Sequence, residues 1–246
     1  MDVNKLYFGD CLEIMPTFPD HSFDMVLCDL PYQLTQNHWD KLIPLDKLWP
    51  EYKRLIKPNG IIALTGSQPF TSLLVMSNPE MFRHEWIWIK NRGSNFANTV
   101  REPFKEHEQV LIFSNGNWTY NKQMQERTGA GLQRVKYDFN HVTESTNYRK
   151  FERPSDRKGH TLRVPSSWQK FNTETGLHST QKPVLLFEYL IKTYTNEGEL
   201  VLDNACGSGT TGIACLKTKR NYILIDNEQK SYETSKKRIE EFTNNS

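Results

Sequence analysis

The first 114 residues of the chain alternate between short apolar runs and longer amphipathic segments. Residues 23–29, FDMVLCD, are almost continuously apolar, which is typical of a strand buried on both faces of a parallel sheet. Residues 45–57 place their apolar side chains on one helical face, and Pro-Asn-Gly at 58–60 is predicted to stop that helix. A second helix is predicted at 69–76, with proline at its start. The other strands predicted in this half are 5–9, 61–66, 85–90 and 108–114.

Regular periodicity is lost over residues 115–180 and returns at Pro183. The last part predicts, in order, a helix at 184–194, a strand at 199–205, a helix at 210–218, a strand at 221–226 and a helix at 231–242. Strand-helix alternation on both sides of an irregular stretch indicates one α/β unit with a Rossmann-like, mostly parallel sheet. We therefore predict one domain formed by 1–114 and 177–246, with an inserted region at 115–176.

Composition excludes several classes of protein. The 246 residues are 37% hydrophobic with a mean hydropathy of −0.68, and no run of about 18 apolar residues predicts a membrane span. The N-terminus shows no secretory signal pattern. The four cysteines form no CxxC pair, so neither a disulfide framework nor a zinc site is expected. A cytoplasmic protein without a bound metal is the simplest expectation.

Charge is distributed unevenly along the chain. The net charge is only +2, yet residues 114–175 carry 11 Lys and Arg against 6 Asp and Glu. Eight aromatic residues are interleaved with these basic side chains. That combination is typical of a nucleic-acid surface, although a solvated insertion with a small core fits the composition equally well.

The segment LVLDNACGSGTTGIA at 200–214 combines a strand, a small-residue loop and the start of a helix. Gly207 and Gly209 allow the backbone to approach a ligand closely, and Thr210 and Thr211 are predicted to cap the helix. Asp226 ends the following strand, 19 residues after Gly207, where an acid can hold ribose hydroxyls. These features predict a nucleotide-binding site.

The spacing Gly207-x-Gly209-x-x-Gly212 also fits the dinucleotide fingerprint, so a nicotinamide or flavin oxidoreductase is an alternative. However, only one strand and one helix follow it. A complete sheet must then recruit the strand at 5–9, which makes the strand order circularly rotated relative to the chain. The carboxyl ends of four parallel strands would carry Asp10, Asp29, Asp203 and Asp226, at the edge where open α/β sheets bind ligands. Each acid alone could equally be a turn or cap residue.

Three motifs are similar to those of the amino-methylating DNA methyltransferases that use S-adenosylmethionine. Asp29-Leu30-Pro31-Tyr32 resembles their D-P-P-Y signature, with Leu30 in place of the first proline. Residues 203–211, DNACGSGTT, resemble their cofactor loop D-P-F-x-G-S-G-T-T, and HSTQKP at 178–183 resembles H-P-T-Q-K-P. The order of the motifs is that of the family's β group. The resemblance covers roughly 5–114 and 177–240 and does not extend to the insert.

The resemblance implies a site-specific methyltransferase that modifies adenine N6 in duplex DNA after base flipping, as in bacterial or phage restriction-modification. Cytosine-N4 methylation is the near alternative, since relatives with that activity usually carry Ser where Asp29 stands. A DNA-binding module with an inactive site is a third option. Dimerisation is common in the β group, but no feature of the sequence requires a homodimer.

The resemblance also implies roles for the catalytic motif. The Asp29 carboxylate and the Leu30 carbonyl would accept the two hydrogens of the target amine, which frees the nitrogen lone pair for attack. Pro31 would stiffen the turn that aims them, because its ring fixes φ. Tyr32 would stack on the purine. Leu30 keeps the carbonyl that this chemistry needs. The implied catalytic residues are Asp29, Leu30, Pro31 and Tyr32.

Binding residues follow from the same motifs. The implied cofactor-binding residues are Asp10, Asp29, Ser179, Thr180, Lys182, Asp203, Asn204, Ala205, Cys206, Gly207, Ser208, Gly209, Thr210, Thr211 and Asp226. Asn204-Ala205 departs from the usual Pro-Phe, which removes an aromatic that lines the cofactor pocket in relatives. The loop at 90–108 is predicted to lie near DNA phosphates, with contacts from Lys90, Arg92, Arg101 and Lys105, while the insert reads bases. Glu108 is predicted only to stabilise that loop.

Overall fold

A computed structural model describes residues 1–32, 42–129, 131–133, 161–174 and 181–245. Contacts divide the chain into two compact units. The main unit comprises 1–121 and 167–246, and the second unit comprises 122–166. The predicted insert at 115–176 therefore had wider bounds than the second unit, because residues on both sides of 122–166 pack with the main unit. Ser179 and Thr180 lie outside the described residues, as do 130, 134–160 and 175–176 of the predicted insert.

The strands differ in length and in composition. Their bounds are β1 Lys5–Phe8, β2 Phe23–Cys28, β3 Ile56–Gly66, β4 Phe82–Ile89, β5 His107–Phe113, β6 Gln125–Glu126, β7 Leu162–Arg163, β8 Trp168–Lys170, β9 Leu200–Asp203 and β10 Asn221–Asp226. In the second unit, β6 and β7 pair antiparallel. The other strands form the sheet of the main unit.

That sheet has the order β1-β10-β9-β2-β3-β5-β4-β8 over the described ranges. Its pairings are parallel except where β5 lies antiparallel between β3 and β4. Strand β1 pairs with β10, as the rotated order requires, and it stands at the edge of the sheet. The α/β fold class with a mostly parallel sheet is confirmed.

The helices cover both faces of the sheet. They are α1 Cys11–Ile14, α2 Leu45–Leu55, α3 Phe70–Ser77, α4 Val184–Tyr194, α5 Thr210–Lys217 and α6 Gln229–Asn244. One core packs residues of α1, α2 and α3 against alternate strand positions such as Val26 and Cys28. The other core packs α4 and α5 against Met25 and Leu27. Both faces of β2 are thus buried, which explains its nearly continuous apolar sequence.

Two local predictions were wrong. Pro58-Asn59-Gly60 does not stop α2, since that helix already ends at Leu55 and β3 begins directly at Ile56. The pairing register between β2 and β3 shifts at this point, so the three residues form an irregularity inside β3. A Cβ on Gly60 would stand 2.7 Å from the backbone oxygen of Asp24, which explains the glycine. The second wrong prediction is the capping of α5 by Thr210 and Thr211, since the N-cap residue is Gly209 and no side chain caps the helix.

Candidate active site

A cleft of about 1100 Å³ opens at the carboxyl ends of β1, β2, β9 and β10. All four acids predicted at these strand ends line it, and they are Asp10, Asp29, Asp203 and Asp226. The rotated sheet therefore brings the first residues of the chain beside its last strand. Among the described candidates for cofactor binding, Gly209 and Thr211 are not part of the lining.

Asp203 organises the loop after β9 from beneath. It is buried, and its Oδ1 accepts the backbone N–H of Ala205 at 3.2 Å while Oδ2 accepts the hydroxyl of Thr211. Burial raises the pKa of Asp203 to about 7, against the opposing effect of these donors. Thr211 therefore bonds to Asp203 instead of capping α5, and the residue at the N-cap is Gly209 without a side-chain bond.

The Asn204 side chain is also turned into the protein. It is buried, its Oδ1 accepts the hydroxyl of Tyr52 at 2.6 Å, and its Nδ2 lies 3.6 Å from the Cys11 sulfur. Because its amide is committed on both sides, Asn204 ties the loop to α2 and α1. Its predicted cofactor contact would have to come from its backbone.

Two glycines allow the loop after β9 to adopt its backbone conformation. Gly207 and Gly209 have φ of 53° and 74°, which L-residues with a Cβ rarely adopt. Gly209 packs tightly on α6, since a Cβ there would stand 3.1 Å from the Cβ of Ser235. Gly207 lines the cleft, and a Cβ there would meet no atom within 4 Å. The first glycine thus leaves space on the cleft side, and the second permits helix packing.

Asp226 holds the loop after β9 in place through a hydrogen bond to its backbone. Its Oδ2 accepts the backbone N–H of Gly207 at 2.8 Å, and its Oδ1 accepts that of Glu228 at 2.9 Å. Burial raises the pKa of Asp226 to about 6, although both backbone donors oppose the change. Asp10 is placed differently, because it is exposed and its Oδ1 caps α1 by accepting the Leu12 N–H at 2.8 Å.

The Asp29 carboxylate lies where β2 ends and is surrounded by donors. Its Oδ1 accepts the hydroxyls of Tyr32 and Thr65, and its Oδ2 lies 2.6 Å from the ammonium of Lys182. Burial and the neighbouring Asp29 carboxylate raise the pKa of Tyr32 well above its ordinary value, so this hydroxyl stays protonated. Thr65, near the end of β3, is a contact that the sequence motifs did not indicate.

The Tyr32 ring is half-buried at the edge of the core and lines the cleft. It stacks on Phe70, with ring centroids 5.0 Å apart and an angle of 30° between the planes. The ring is therefore not enclosed in the core, and its predicted stacking on a purine remains a prediction. Leu30 is only 2% exposed and packs in the core, so its side chain contributes hydrophobic packing.

Lys182 connects the catalytic motif to β5. Its ammonium lies between Asp29 and Glu108, and the other oxygen of Glu108 pairs with Lys90. Burial alone would lower the pKa of Lys182, but the Asp29 carboxylate, with Tyr32 and Glu108, raises it well above its ordinary value. Burial would likewise raise the pKa of Glu108, but the two ammonium groups hold it below its ordinary value. Sequence reasoning missed this position of Glu108.

The predicted DNA-contact residues lie in environments that differ in solvent exposure. Lys90 is buried and paired with Glu108, so a phosphate contact does not fit it. Arg92 lines the cleft, Arg101 is exposed, and Lys105 is partly exposed on the same loop. This loop leaves the sheet at the end of β4, which is parallel to β3, and so it stands at the edge of the sheet that carries the cleft.

The helices of the described ranges include none long and apolar enough to cross a membrane. Over those same ranges, no three or more His, Cys, Asp or Glu side chains form a group that could hold a metal ion.

Comparison with known proteins identifies the family to which the chain belongs. A family model for N6 and N4 DNA methylases matches residues 23–237, which include the segment 29–32, Lys182 and the loop after β9. The chain belongs to the DNA methylase family. The methylase is therefore an S-adenosylmethionine-dependent, amino-methylating DNA methyltransferase, as its motifs predicted. The nicotinamide oxidoreductase alternative is not supported.

Individual relatives are similar over nearly the whole methylase. The type II methyltransferase M.HinfI of Haemophilus influenzae is 29% identical, over 99% of this chain and 70% of its own length. The type II methyltransferase M2.MboI of Moraxella bovis is 28% identical, over 97% of this chain and 88% of its own. The crystal structure of an M1.HpyAVI–SAM complex is 26% identical with a TM-score of 0.66, covering 95% of this chain and 98% of that one.

The fold alone is shared more widely. The cytosine-N4-specific PvuII DNA methyltransferase superposes with a TM-score of 0.67 at 16% identity, covering 99% of this chain and 91% of that chain. Since enzymes that act on different bases share this architecture, the fold does not identify the target base.

Proposed function

We propose that the methylase transfers a methyl group from S-adenosylmethionine to the N6 amine of a flipped adenine in duplex DNA. The observation that carries this proposal is the Asp29 carboxylate, which ends β2 at the edge of the cleft. A carboxylate at this position can accept a hydrogen bond from an exocyclic amine. The similarity to type II methyltransferases supports a site-specific reaction within restriction-modification.

The loop after β9 fits an extended nucleoside cofactor. Gly207 leaves open space on the cleft side, where a side chain would intrude, and the cleft continues to Asp226 and Glu228. When bound, S-adenosylmethionine supplies an electrophilic methyl group on a sulfonium. Asp226 would accept from the ribose hydroxyls, and Asp10 would accept from the adenine amine of the cofactor. Loop 205–210 would surround the methionine part.

The remaining catalytic work falls to the segment after β2. The amine nitrogen of adenine is a weak nucleophile because its lone pair is delocalised into the ring. Hydrogen bonds from this amine to the Asp29 carboxylate and to the Leu30 carbonyl would hold it in position and favour its lone pair for attack. Tyr32 would stack on the flipped base from its position beside Phe70. Pro31 has no N–H and a fixed φ, which keeps this turn rigid.

Duplex DNA would approach the same edge of the sheet. Arg92 and Arg101 are suited to contact phosphates there, and the unit at 122–166, within the predicted insert, would read bases. A base cannot reach the cleft while stacked, so the reaction requires flipping. We propose that the enzyme acts in the cytoplasm, where bacterial and phage DNA is accessible.

Labelled methyl transfer to duplex DNA tests the proposal, with wild type compared to Asp29→Ala. We expect wild type to label DNA and Asp29→Ala to lose at least about 100-fold in kcat, because an amine acceptor is removed. The circular dichroism spectrum of the variant should match that of wild type, which would show that the fold is intact. Equal transfer by the two proteins would refute the catalytic assignment.

A further inference from the structure

A row of four charged side chains with alternating sign crosses the floor of the cleft. From one end to the other these are Asp29, Lys182, Glu108 and Lys90. The side chains of Lys182 and Lys90 are 7% and 6% exposed, and that of Glu108 is 16% exposed. Charges this deeply buried are stable only when each has a partner, so removing one member leaves its neighbour uncompensated.

Glu108 lies between Lys182 and Lys90 in this row, and its two carboxylate oxygens differ in their hydrogen-bond partners. Its Oε1 pairs with Lys90, whose ammonium also lies 5.2 Å from the centre of the Trp88 ring. Its Oε2 is buried and accepts no hydrogen bond from the residues that the structure describes. The Lys182 ammonium lies 3.4 Å from Oε2, which is longer than a charge-assisted hydrogen bond. This oxygen therefore has free acceptor capacity directed at Lys182.

Asp29, in contrast, is already well supplied with donors. Two hydroxyls occupy Oδ1, and Lys182 approaches Oδ2 at 2.6 Å. A target amine that donates to Oδ2 must share this oxygen with the Lys182 ammonium. A carboxylate oxygen can accept two donors, as Oδ1 does, but the charged ammonium binds Oδ2 more strongly than a neutral amine and weakens the bond that the amine can form there.

We propose that Glu108 is a positioning residue for methyl transfer, which receives the Lys182 ammonium on its buried Oε2 when the target amine engages Asp29 Oδ2. A shift of Nζ by roughly 0.5 Å would bring it within a charge-assisted hydrogen bond of Oε2. Lys182 would then remain paired throughout, and no buried charge would be left without a partner. This inference rests on the proposed role of Asp29.

The substitution Glu108→Gln tests the proposal, because glutamine keeps the shape and removes the charge. Lys182 should then stay on Asp29 Oδ2 and compete with the amine. We expect kcat for methyl transfer to fall by roughly 10- to 100-fold, with KM for DNA and Kd for S-adenosylmethionine changed less than about threefold. The matched control is Glu106→Gln, the same change at an exposed position on the same segment, and it should retain wild-type kcat.

A second variant separates positioning from simple charge balance. The double variant Lys90→Met/Glu108→Gln removes both charges of the Lys90–Glu108 ion pair. The charges of Lys182 and Asp29 then still balance each other. We expect this double variant to regain thermal stability relative to Glu108→Gln while its kcat stays low. Recovery of wild-type kcat in the double variant would mean that Glu108 only neutralises Lys90, and the proposal would be overturned.

Failure of this inference is distinguishable from failure of the proposed function. If wild type does not methylate DNA, or if Asp29→Ala is as active as wild type, the proposed function is refuted and the inference with it. If wild type is active, Asp29 is required and Glu108→Gln retains wild-type kcat, the inference alone is refuted.

Discussion

At the scale of single residues, the cleft is defined by carboxylates whose environments differ. Asp203 accepts from Thr211 beneath the loop, Asp226 accepts two backbone N–H groups, and Asp29 accepts hydroxyls and an ammonium. Asp10 caps a helix at the exposed rim. The same residue type is thus used for loop geometry, for proposed ribose binding and for proposed catalysis, and only the neighbouring donors distinguish these uses.

Asp226 gives a prediction on pH. Burial raises its folded-state pKa to about 6 from an ordinary value of 3.8, so the carboxylate becomes protonated as the pH falls through about 6. A protonated acid is a poorer acceptor for ribose hydroxyls. We expect the Kd of S-adenosylmethionine to rise by up to about tenfold from pH 7 to pH 5, where the carboxyl is mostly neutral.

Calorimetry at intervals between pH 5 and 7 would measure this dependence. The control is Asp226→Asn, which should bind the cofactor more weakly at pH 7 and show little change over the same range. Stability changes with pH in the opposite direction to cofactor affinity. A carboxyl with a raised folded-state pKa binds its proton more readily in the folded protein, so its contribution to stability is lost as the pH rises from about 4 to about 6. A flat binding profile in wild type would contradict the proposed role of Asp226.

At the scale of elements, the cleft is shaped by the loop between β9 and α5 and by the close packing of this loop on α6. The loop between β9 and α5 passes through two glycines with positive φ, and α6 lies against the second of them. The side chain of Ser235 on α6 donates to the backbone oxygen of Gly207 at 2.5 Å. The loop is therefore fixed on its helix side and open on its cleft side.

Comparing Gly209→Ala with Gly207→Ala separates these two sides. Both substitutions force alanine into a left-handed conformation, which costs about 1–2 kcal/mol. At Gly209 the new methyl group would also stand 3.2 Å from the Cα of Ser235, whereas at Gly207 it meets no atom within 4 Å. We expect Gly209→Ala to lower Tm several degrees further than Gly207→Ala, since about 1 kcal/mol corresponds to 2–4 °C in a protein of this size.

Cofactor affinity should show the opposite ranking. Gly207 lines the cleft and an added methyl group would meet no protein atom within 4 Å, so we expect Gly207→Ala to weaken binding of S-adenosylmethionine more than its loss of stability explains. Differential scanning calorimetry and titration calorimetry on the two variants give both quantities. Equal melting temperatures would mean that the packing of Gly209 on α6 contributes nothing to stability.

Elements were predictable from sequence where periodicity and burial agree. The run at 23–29 predicted β2, and the apolar face at 45–57 predicted α2, because both cores impose a simple pattern. Strand β8 was missed because its three residues, Trp168-Gln169-Lys170, carry no apolar run and gain their structure from pairing with β4. The continuation of β3 through Pro58 was missed because its irregular pairing overrides the local preference for a turn.

Motif residues were predictable because their chemistry requires particular residue types, as at Asp29 and Gly207. Glu108 and Thr65 were not, since their contacts with the site depend on pairing between strands that lie far apart in the chain. The ion pair of Lys90 with Glu108, which a phosphate contact does not fit, was missed for the same reason, because only the folded sheet brings the two side chains together. Long-range ion pairs leave no local pattern in a single sequence.

At the scale of the whole molecule, the rotated order of the chain places both proposed functions at one edge of a single sheet. The catalytic segment follows β2, and the nucleotide loop follows β9, which pairs directly with β2. The unit at 122–166, which lies within the predicted insert, is compact by itself.

The central claim is that this methylase modifies adenine at N6, and nucleoside analysis of its product tests that claim most directly. Duplex DNA of mixed sequence is incubated with S-adenosylmethionine and wild type or Asp29→Ala, digested to nucleosides and analysed by mass spectrometry. The account predicts N6-methyladenine with wild type and none above background with Asp29→Ala. N4-methylcytosine with wild type, or N6-methyladenine in equal amounts from both proteins, would contradict it.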